Sequence, residues 1–291
     1  MGYLLSIVTS VVGSFTTMFS KAYMNGTRHI KTGLDIYMLF VYPLITVYYF
    51  ILAGGNVPLN WPTFWFATVY AIIALITNSL NLVAYNYATI VYITVFGGAA
   101  MLLPFLYELL FTDVRFSVFQ YFAVGLRIVT ICLPLLSAKK EESISKKGFL
   151  LCFLLFLFSG LSSIVTRMFS THPNVMSDGS YFFWINVMIL PFAFLKVFTK
   201  TSPKQLWSDF RQVKLRYFFF VLIALVINNA ITFISIELVR QITSTVYSIL
   251  SGTVRILVMG FLSVVIYKEK LTYQAGISLL LSLVAMILSL F

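Results

Sequence analysis

The sequence predicts an all-α polytopic membrane protein with ten transmembrane helices, arranged as two inverted repeats of five. Of the 291 residues, 60% are hydrophobic and only 10% are charged, against roughly 25% charged residues in soluble chains. A bilayer core about 30 Å thick needs roughly 20 apolar residues per helix, so the chain can make about ten crossings. The third observation is an ordered series of matches between the two halves of the chain.

Ten apolar runs follow one another, joined by short polar segments. They cover 3–23, 34–53, 62–86, 88–112, 116–136, 148–169, 180–199, 216–238, 241–267 and 271–291. We expect each to be helical, because an unpaired backbone amide in hydrocarbon costs several kcal/mol and the runs are too long for barrel strands. Three prolines, Pro43, Pro104 and Pro191, lie within runs and can kink them, and Gly97 and Gly98 lie near Pro104.

The composition also excludes several classes of protein. A soluble enzyme, a nucleic-acid-binding module and a secreted disulfide scaffold all require more polar sequence than this chain has. Its two cysteines, Cys132 and Cys152, lie in apolar runs and lack the spacing of metal ligands. We therefore predict no metal, no cofactor and no nucleic-acid partner.

The most polar connection, SAKKEESISKK at 137–147, divides the chain into a first repeat, 1–136, and a second repeat, 148–291. Matches between the halves keep the same order. They are Thr17 to Ser20 with Arg167 to Ser170, Pro43 with Pro191, Val91, Tyr92 and Gly97 with Val246, Tyr247 and Gly252, and Phe116 and Ser117 with Leu271 and Thr272. An odd number of crossings per half inserts the halves in opposite orientations, as in many secondary transporters.

The charged residues sort by side of the membrane. Fourteen Lys and Arg residues lie in the loops after the first, fifth, seventh and ninth runs, and at most three, Arg115, Arg167 and Arg240, lie on the other side. The positive-inside rule then places the basic loops in the cytoplasm and both termini outside. The net charge of +11 is thus explained by topology.

Three segments resemble the drug/metabolite transporter superfamily, in particular its ten-helix EamA-like branch. They are VVIYKEKLTYQAG from Val264 to Gly276, LFTDVRFSVFQ from Leu110 to Gln120, and GSFTTMFSKAY from Gly13 to Tyr23. The resemblance implies a five-plus-five inverted fold around a central cavity. It also implies both termini in the cytoplasm, opposite to the charge distribution, so the orientation stays open.

Two arginines lie halfway along apolar runs, Arg127 in the fifth and Arg255 in the ninth. A charged group there costs about 3 kcal/mol on insertion scales and normally faces a cavity or a partner. Arg255 ends a ladder with a spacing of four, formed by Thr243, Tyr247 and Ser251, which predicts a wet helix face. An unpaired guanidinium favours an anionic or zwitterionic solute. The alternatives are helix packing for the hydroxyls, and bonds to carbonyls or to Glu108 for the arginines.

Further candidates for substrate binding are polar or aromatic residues in the third, fourth, eighth and ninth runs. They are Asn78, Asn81, Tyr92, Asn228, Thr232 and Tyr247. Interhelical hydrogen bonds or core packing would account for them equally well. Glu108 is the candidate for proton coupling, with a salt bridge as the alternative.

Together these features predict a secondary transporter in the plasma membrane that moves a small polar or anionic metabolite by alternating access. The alternative is a flippase for a lipid-linked anion such as a polyprenyl phosphate. The chain lacks HExxH, GxSxG and paired intramembrane aspartates, so we expect no enzyme. A homodimer is left open.

Overall fold

The computed structural model describes residues 2–27, 29–30, 32–84, 86–88, 90–136, 145–241, 244–267 and 273–290. Within these ranges the chain is all-helical, as predicted. Its helices are α1 (Gly2–Gly26), α2 (Gly33–Leu52), α3 (Trp61–Ala84), α4 (Ile90–Ala99), α5 (Leu102–Phe111), α6 (Val118–Leu136), α7 (Lys146–Thr171), α8 (Asp178–Lys200), α9 (Pro203–Gln212), α10 (Leu215–Gln241), α11 (Ser244–Tyr267) and α12 (Tyr273–Leu288).

Six segments are long and apolar enough to cross a membrane. They are Gly2–Gly26, Asp35–Leu52, Trp61–Asn81, Lys146–Thr171, Asp178–Lys200 and Thr245–Leu262. A seventh candidate is α10, which meets α9 at a bend of 98°. Three shorter apolar helical segments, Phe96–Phe111, Val118–Thr130 and Gly276–Leu288, complete the set. The chain thus has the helices of a membrane protein. Most of the predicted linker, 137–147, lies outside the described residues.

The fourth predicted run, 88–112, is divided into α4 and α5. Pro104 explains the position of the break, because proline has no N–H to donate to the carbonyl four residues earlier, that of Ala100. The Ala100 carbonyl instead accepts a 3.3 Å hydrogen bond from the amide of Leu103. Gly160 of α7 packs against this break, where a Cβ would lie 2.8 Å from the Ala100 oxygen. The break near Pro104 therefore allows α7 to pack closely against the junction of α4 and α5.

Helix α9 was not predicted, because the sequence analysis treated 200–215 as a polar loop. Pro203 occupies its first turn, and the Ser202 side chain accepts a hydrogen bond from the Gln205 amide. Both features favour a helix start. The helix packs against the start of α2, since Phe210 stacks on Phe40 at 4.6 Å between ring centroids.

The interior of the bundle is built from helices of both halves. Helix α1 packs against α10 and α11, and α7 packs against α3, α4 and α5. Helices α4 and α11 also pack against each other. At their crossing, a Cβ on Gly252 would lie 3.4 Å from the Cα of Gly98, so the two glycines allow the backbones to approach closely. The remaining principal pairs are α6 with α12, α2 with α8 and α3 with α8.

Candidate solute-binding cavities

A cavity of about 360 Å³ lies between α3, α4, α7 and α11. Its polar lining includes Thr77, Asn81, Ser159, Ser162, Ser163, Tyr247, Ser251 and Arg255. Main-chain turns of α4 at Gly97 and Gly98, and of α11 at Gly252, also border it. This is the larger cavity. It has the size of a small-molecule site.

A second cavity, of about 190 Å³, lies between α1, α2, α3 and α10. Its polar lining is Thr16, Ser20, Tyr37, Tyr42, Asn78, Asn81, Asn228, Asn229 and Arg255. Asn81 and Arg255 line both cavities. These two side chains therefore stand at the boundary between the larger and the smaller cavity.

Arg255 is exposed and borders the two cavities. Its Nη2 atom lies 3.2 Å from the position that a Cβ on Gly13 would occupy, so the glycine leaves room for the guanidinium beside α1. Among the described residues, no hydrogen bond or ion pair reaches this guanidinium. Of the residues that the structure describes, Arg255 is also the one charged residue in either lining. It is available to a ligand.

Glu108 occupies a different place, at one end of the bundle. Its carboxylate is fully buried, and Oε1 lies 3.3 Å from Nε of Arg167. Its Oε2 accepts hydrogen bonds from the amide of Thr245 at 3.1 Å and from the hydroxyl of Thr245 at 2.5 Å. We call these three residues the latch. It joins the ends of α5 and α7 to the start of α11, and it has the salt bridge that the sequence analysis held as the alternative to coupling.

The smaller cavity lies in the half of the bundle away from the latch, and the larger one reaches from the middle of the bundle to Tyr247, two residues from the latch residue Thr245. The residues of α4 that line the larger cavity, from Ile93, precede the break, whereas the latch is near the end of α5. Thr77 and Asn81 lie in the last turns of α3, which leads by a short turn to the start of α4. The latch therefore joins three helices at one end of the bundle, and Thr77 and Asn81 line the larger cavity nearer the other end.

At the end away from the latch, Lys147 of α7 binds the turn between α3 and α4. Its Nζ donates a 3.0 Å hydrogen bond to the hydroxyl of Tyr87. This bond and the positive charge lower the pKa of the Tyr87 phenol.

Arg127 is used within the protein. Its side chain is 1% exposed. Nη1 donates to Ser282 Oγ at 3.1 Å, and Nη2 donates to the carbonyl of Ile249 at 3.2 Å. Arg127 lines neither cavity. The bond to a helix carbonyl is the structural alternative that the sequence analysis had left open for this residue.

The structure brings together most of the other predicted site residues. Asn81, Tyr247, Ser251 and Arg255 line the larger cavity, and Asn78, Asn81, Asn228 and Arg255 line the smaller one. Tyr92 instead packs against a core cluster that contains Ile93 and Cys152. Thr243 and the side chain of Thr232 lie outside what the structure describes.

Sequence reasoning missed three serines of α7, Ser159, Ser162 and Ser163, which line the larger cavity. Their spacing of three and four residues places them on one helix face, a signal that the sequence contained. Asn229 was also missed, because it adjoins Asn228 and only the packing of α10 shows that both reach the smaller cavity.

The fold and cavities define a helical bundle with candidate membrane-spanning helices and a polar interior. No family model matches the chain, and no curated protein matches it. Among solved structures, 28 chains match. One, a crystal structure described only as that of a protein, has a TM-score of 0.62 and 14% sequence identity, over 99% of this chain and 94% of the other. The likeness at this identity concerns the fold alone.

Proposed function

We propose that this protein is a secondary transporter that moves a small polar metabolite across the plasma membrane by alternating access. The observation that carries the proposal is a polar cavity at mid-bundle, bordered by Arg255, with a buried latch at one end. A charged residue inside a membrane bundle normally belongs to a substrate or ion pathway. Ten spans result if α4 and α5 form one crossing and α6, α10 and α12 one each.

The helix contacts support two inverted repeats in this proposal. If α1 corresponds to α7 and α3 to α10, the contact of α1 with α10 and the contact of α7 with α3 are equivalent. Pairs of corresponding helices, α2 with α8, α4 with α11 and α6 with α12, also contact each other, as expected next to a pseudo-two-fold axis. The hydrogen bond from Arg127 to Ser282 joins residues 155 positions apart, the offset that also relates Tyr92 to Tyr247.

In this mechanism the described state is closed at the latch. Opening the latch end requires α5, α7 and α11 to separate, which breaks the ion pair of Glu108 with Arg167 and both hydrogen bonds from Thr245. Protonation of Glu108 would remove its charge and weaken the ion pair. Glu108 thus remains our candidate for coupling transport to a proton.

Reconstitution into proteoliposomes tests the proposal. Amino acids, organic acids, amines and phosphorylated metabolites are first screened for a thermal shift of the purified protein, and each stabilising compound is then assayed for uptake. A transporter gives saturable uptake and counterflow. Binding without saturable flux for any stabilising compound would contradict a transport function.

A cross-link across the latch tests alternating access directly. In a background without Cys132 and Cys152, the double variant Glu108→Cys with Thr245→Cys is oxidised, and counterflow, which needs no proton coupling and so no Glu108 carboxylate, is expected to stop and to return on reduction. The two single variants under the same oxidant are the controls. Counterflow that continues through the cross-linked protein would contradict opening at this end. Transbilayer movement of a labelled polyprenyl phosphate without uptake of soluble compounds would instead support the flippase.

A further inference from the structure

We propose that Arg255 binds the acidic group of a small solute, a carboxylate or a phosphate, whose own O–H or N–H groups donate to amide and hydroxyl oxygens of the two cavities. The inference rests on the proposed transport function and names the class of its substrate. It defines the solute as a hydroxy acid, an amino acid or a phosphorylated polyol, and it excludes a simple cation.

The charged residues of the cavity linings favour an acidic solute. Among the described residues that border the two cavities, Arg255 is charged, and no Asp, Glu, Lys or His is present. A guanidinium within a membrane bundle normally has a partner, and the described residues place no counter-charge and no hydrogen-bond acceptor on Arg255. An anion in the cavity would supply both, because the guanidinium holds a carboxylate or phosphate through two parallel hydrogen bonds.

Two other arginines of the described helices, Arg127 and Arg167, already have partners within the protein, which makes the choice of Arg255 specific. Arg127 is bound to Ser282 and Ile249, and Arg167 lies in the ion pair with Glu108. Arg255 differs from both in facing empty space between two cavities. The small neighbour Gly13 keeps that space open on the α1 side.

The directions of hydrogen bonds in the cavity linings indicate that the solute also carries hydrogen-bond donors. The hydroxyls of Ser162 and Ser163 donate to the carbonyl of Ser159 within their own helix. The amide nitrogen of Asn229 donates to the carbonyl of Leu225, and that of Asn78 donates to Tyr42 Oη. The serine hydroxyl hydrogens and one N–H of each amide are used within the protein, which leaves the hydroxyl and amide oxygens as acceptors beside the second amide N–H. Acceptors fit a solute that carries hydroxyl or ammonium donors beside its acidic group.

The position of the basic loops is consistent with an anionic solute. The ends of α1, α8 and α11 lead into segments rich in Lys and Arg, and α7 begins with Lys146 and Lys147. These helix ends lie at the end of the bundle away from the latch. Positive charge around a cavity mouth raises the local concentration of anions.

Binding of matched pairs of compounds to the purified protein tests the proposal. The pairs are lactate with lactamide, serine with serinamide, and glycerol 3-phosphate with glycerol, and they separate carboxylate from phosphate recognition. We expect at least one anionic or zwitterionic member to bind at least tenfold tighter than its partner, by thermal shift and calorimetry. Arg255→Gln should remove that preference, Arg255→Lys should retain part of it, and Arg211→Gln, which removes one exposed charge on α9, should leave it unchanged.

Labelling of a cysteine placed in the larger cavity tests the electrostatic effect of Arg255 without a known ligand. In a protein lacking Cys132 and Cys152, Ser251→Cys, one turn before Arg255, is reacted with an anionic and a cationic methanethiosulfonate, with rates normalised to a free thiol. A unit charge about 6 Å away changes each rate about threefold even at the dielectric constant of water. The anionic preference should therefore fall about tenfold in Arg255→Gln. Gln205→Cys on α9 is the control and should not respond.

Three results would overturn the inference. The first is tighter binding of the neutral members than of their anionic partners, and the second is anion binding that persists in Arg255→Gln. The third is a ratio of anionic to cationic labelling rates at Ser251→Cys that does not change when Arg255 is replaced by Gln. If only the transport proposal fails, the anion binds through Arg255 but shows no saturable flux. Conversely, Arg255-independent flux of a neutral compound would leave the transporter intact and remove only this substrate class.

Discussion

Three arginines in apolar helices have different roles because their contacts differ. Arg127, Arg167 and Arg255 all belong to helices that are apolar along most of their length. The first donates to a helix carbonyl and a serine, the second lies 3.3 Å from a buried carboxylate, and the third faces two cavities. Their sequence contexts are similar. The atoms around each guanidinium give them different roles.

The latch yields a prediction on stability. Glu108→Ala would leave Arg167 without its carboxylate and Thr245 without the acceptor of both its donors. Removing one partner of a buried ion pair costs about 3 kcal/mol or more, so the melting temperature of the purified protein should fall by several degrees. The matched control is Asp113→Ala, because Asp113 is exposed in the turn after α5. An unchanged melting temperature in Glu108→Ala would mean that the latch contributes nothing to stability.

Helices in this bundle approach one another where a side chain is missing. Gly98 faces Gly252 between α4 and α11, and Gly160 faces the break between α4 and α5. In membranes such small residues let backbones pack closely, which increases van der Waals contact between helices. The break itself follows from Pro104. Helix packing therefore depends on a few positions whose importance is structural.

Gly160 is the position where the contribution of close helix packing to stability can be measured. A Cβ there would lie 2.4 Å from Leu103 Cδ1 and 2.8 Å from the Ala100 carbonyl oxygen, and the latter belongs to backbone that cannot rotate away. Gly160→Ala should lower stability by about 1–3 kcal/mol, the range for overpacked cores, in thermal or chemical denaturation. Gly125→Ala on α6 is the control, since a Cβ there meets nothing within 4 Å. Equal stability of the two variants would contradict this account of the α7 contact.

Helix α9 gives a second prediction at this scale. It is bent by 98° from α10, and it carries exposed Trp207 with Arg211 5.5 Å from the ring. Aromatic and basic residues of this kind favour the interface between headgroups and acyl chains. In a variant that keeps only this tryptophan, bromolipids labelled near the headgroup should quench its fluorescence more than deeply labelled ones. Quenching by aqueous iodide alone would place α9 in solution.

Across the whole molecule, the apolar runs predicted the helices well, because length and hydropathy decide which segments can span a bilayer. The run 34–53 corresponds to α2, and 148–169 lies within α7. The division of 88–112 and the presence of α9 were not predicted. Both depend on local features, a proline within an apolar run and a capped amphipathic turn, that average hydropathy does not register.

Orientation in the membrane is a property of the whole chain, and two exposed positions test it. Gln205 lies on α9 among the basic segments, and Asn56 lies between α2 and α3. If the charge distribution sets the orientation, an impermeant thiol reagent on intact cells labels Asn56→Cys and leaves Gln205→Cys unlabelled. The reverse pattern would support the orientation implied by the family resemblance.

The sequence by itself determined that this chain is helical, apolar enough for a bilayer and equipped with a charged residue at the centre of its ninth run. These properties follow from composition and spacing along the chain. Only the tertiary structure decided which polar residues share a cavity, that Arg255 borders two cavities while Arg127 is bound, and that Glu108 joins Arg167 and Thr245. Those relations depend on distances between residues far apart in the chain, and periodicity within one helix carries no information about its neighbours.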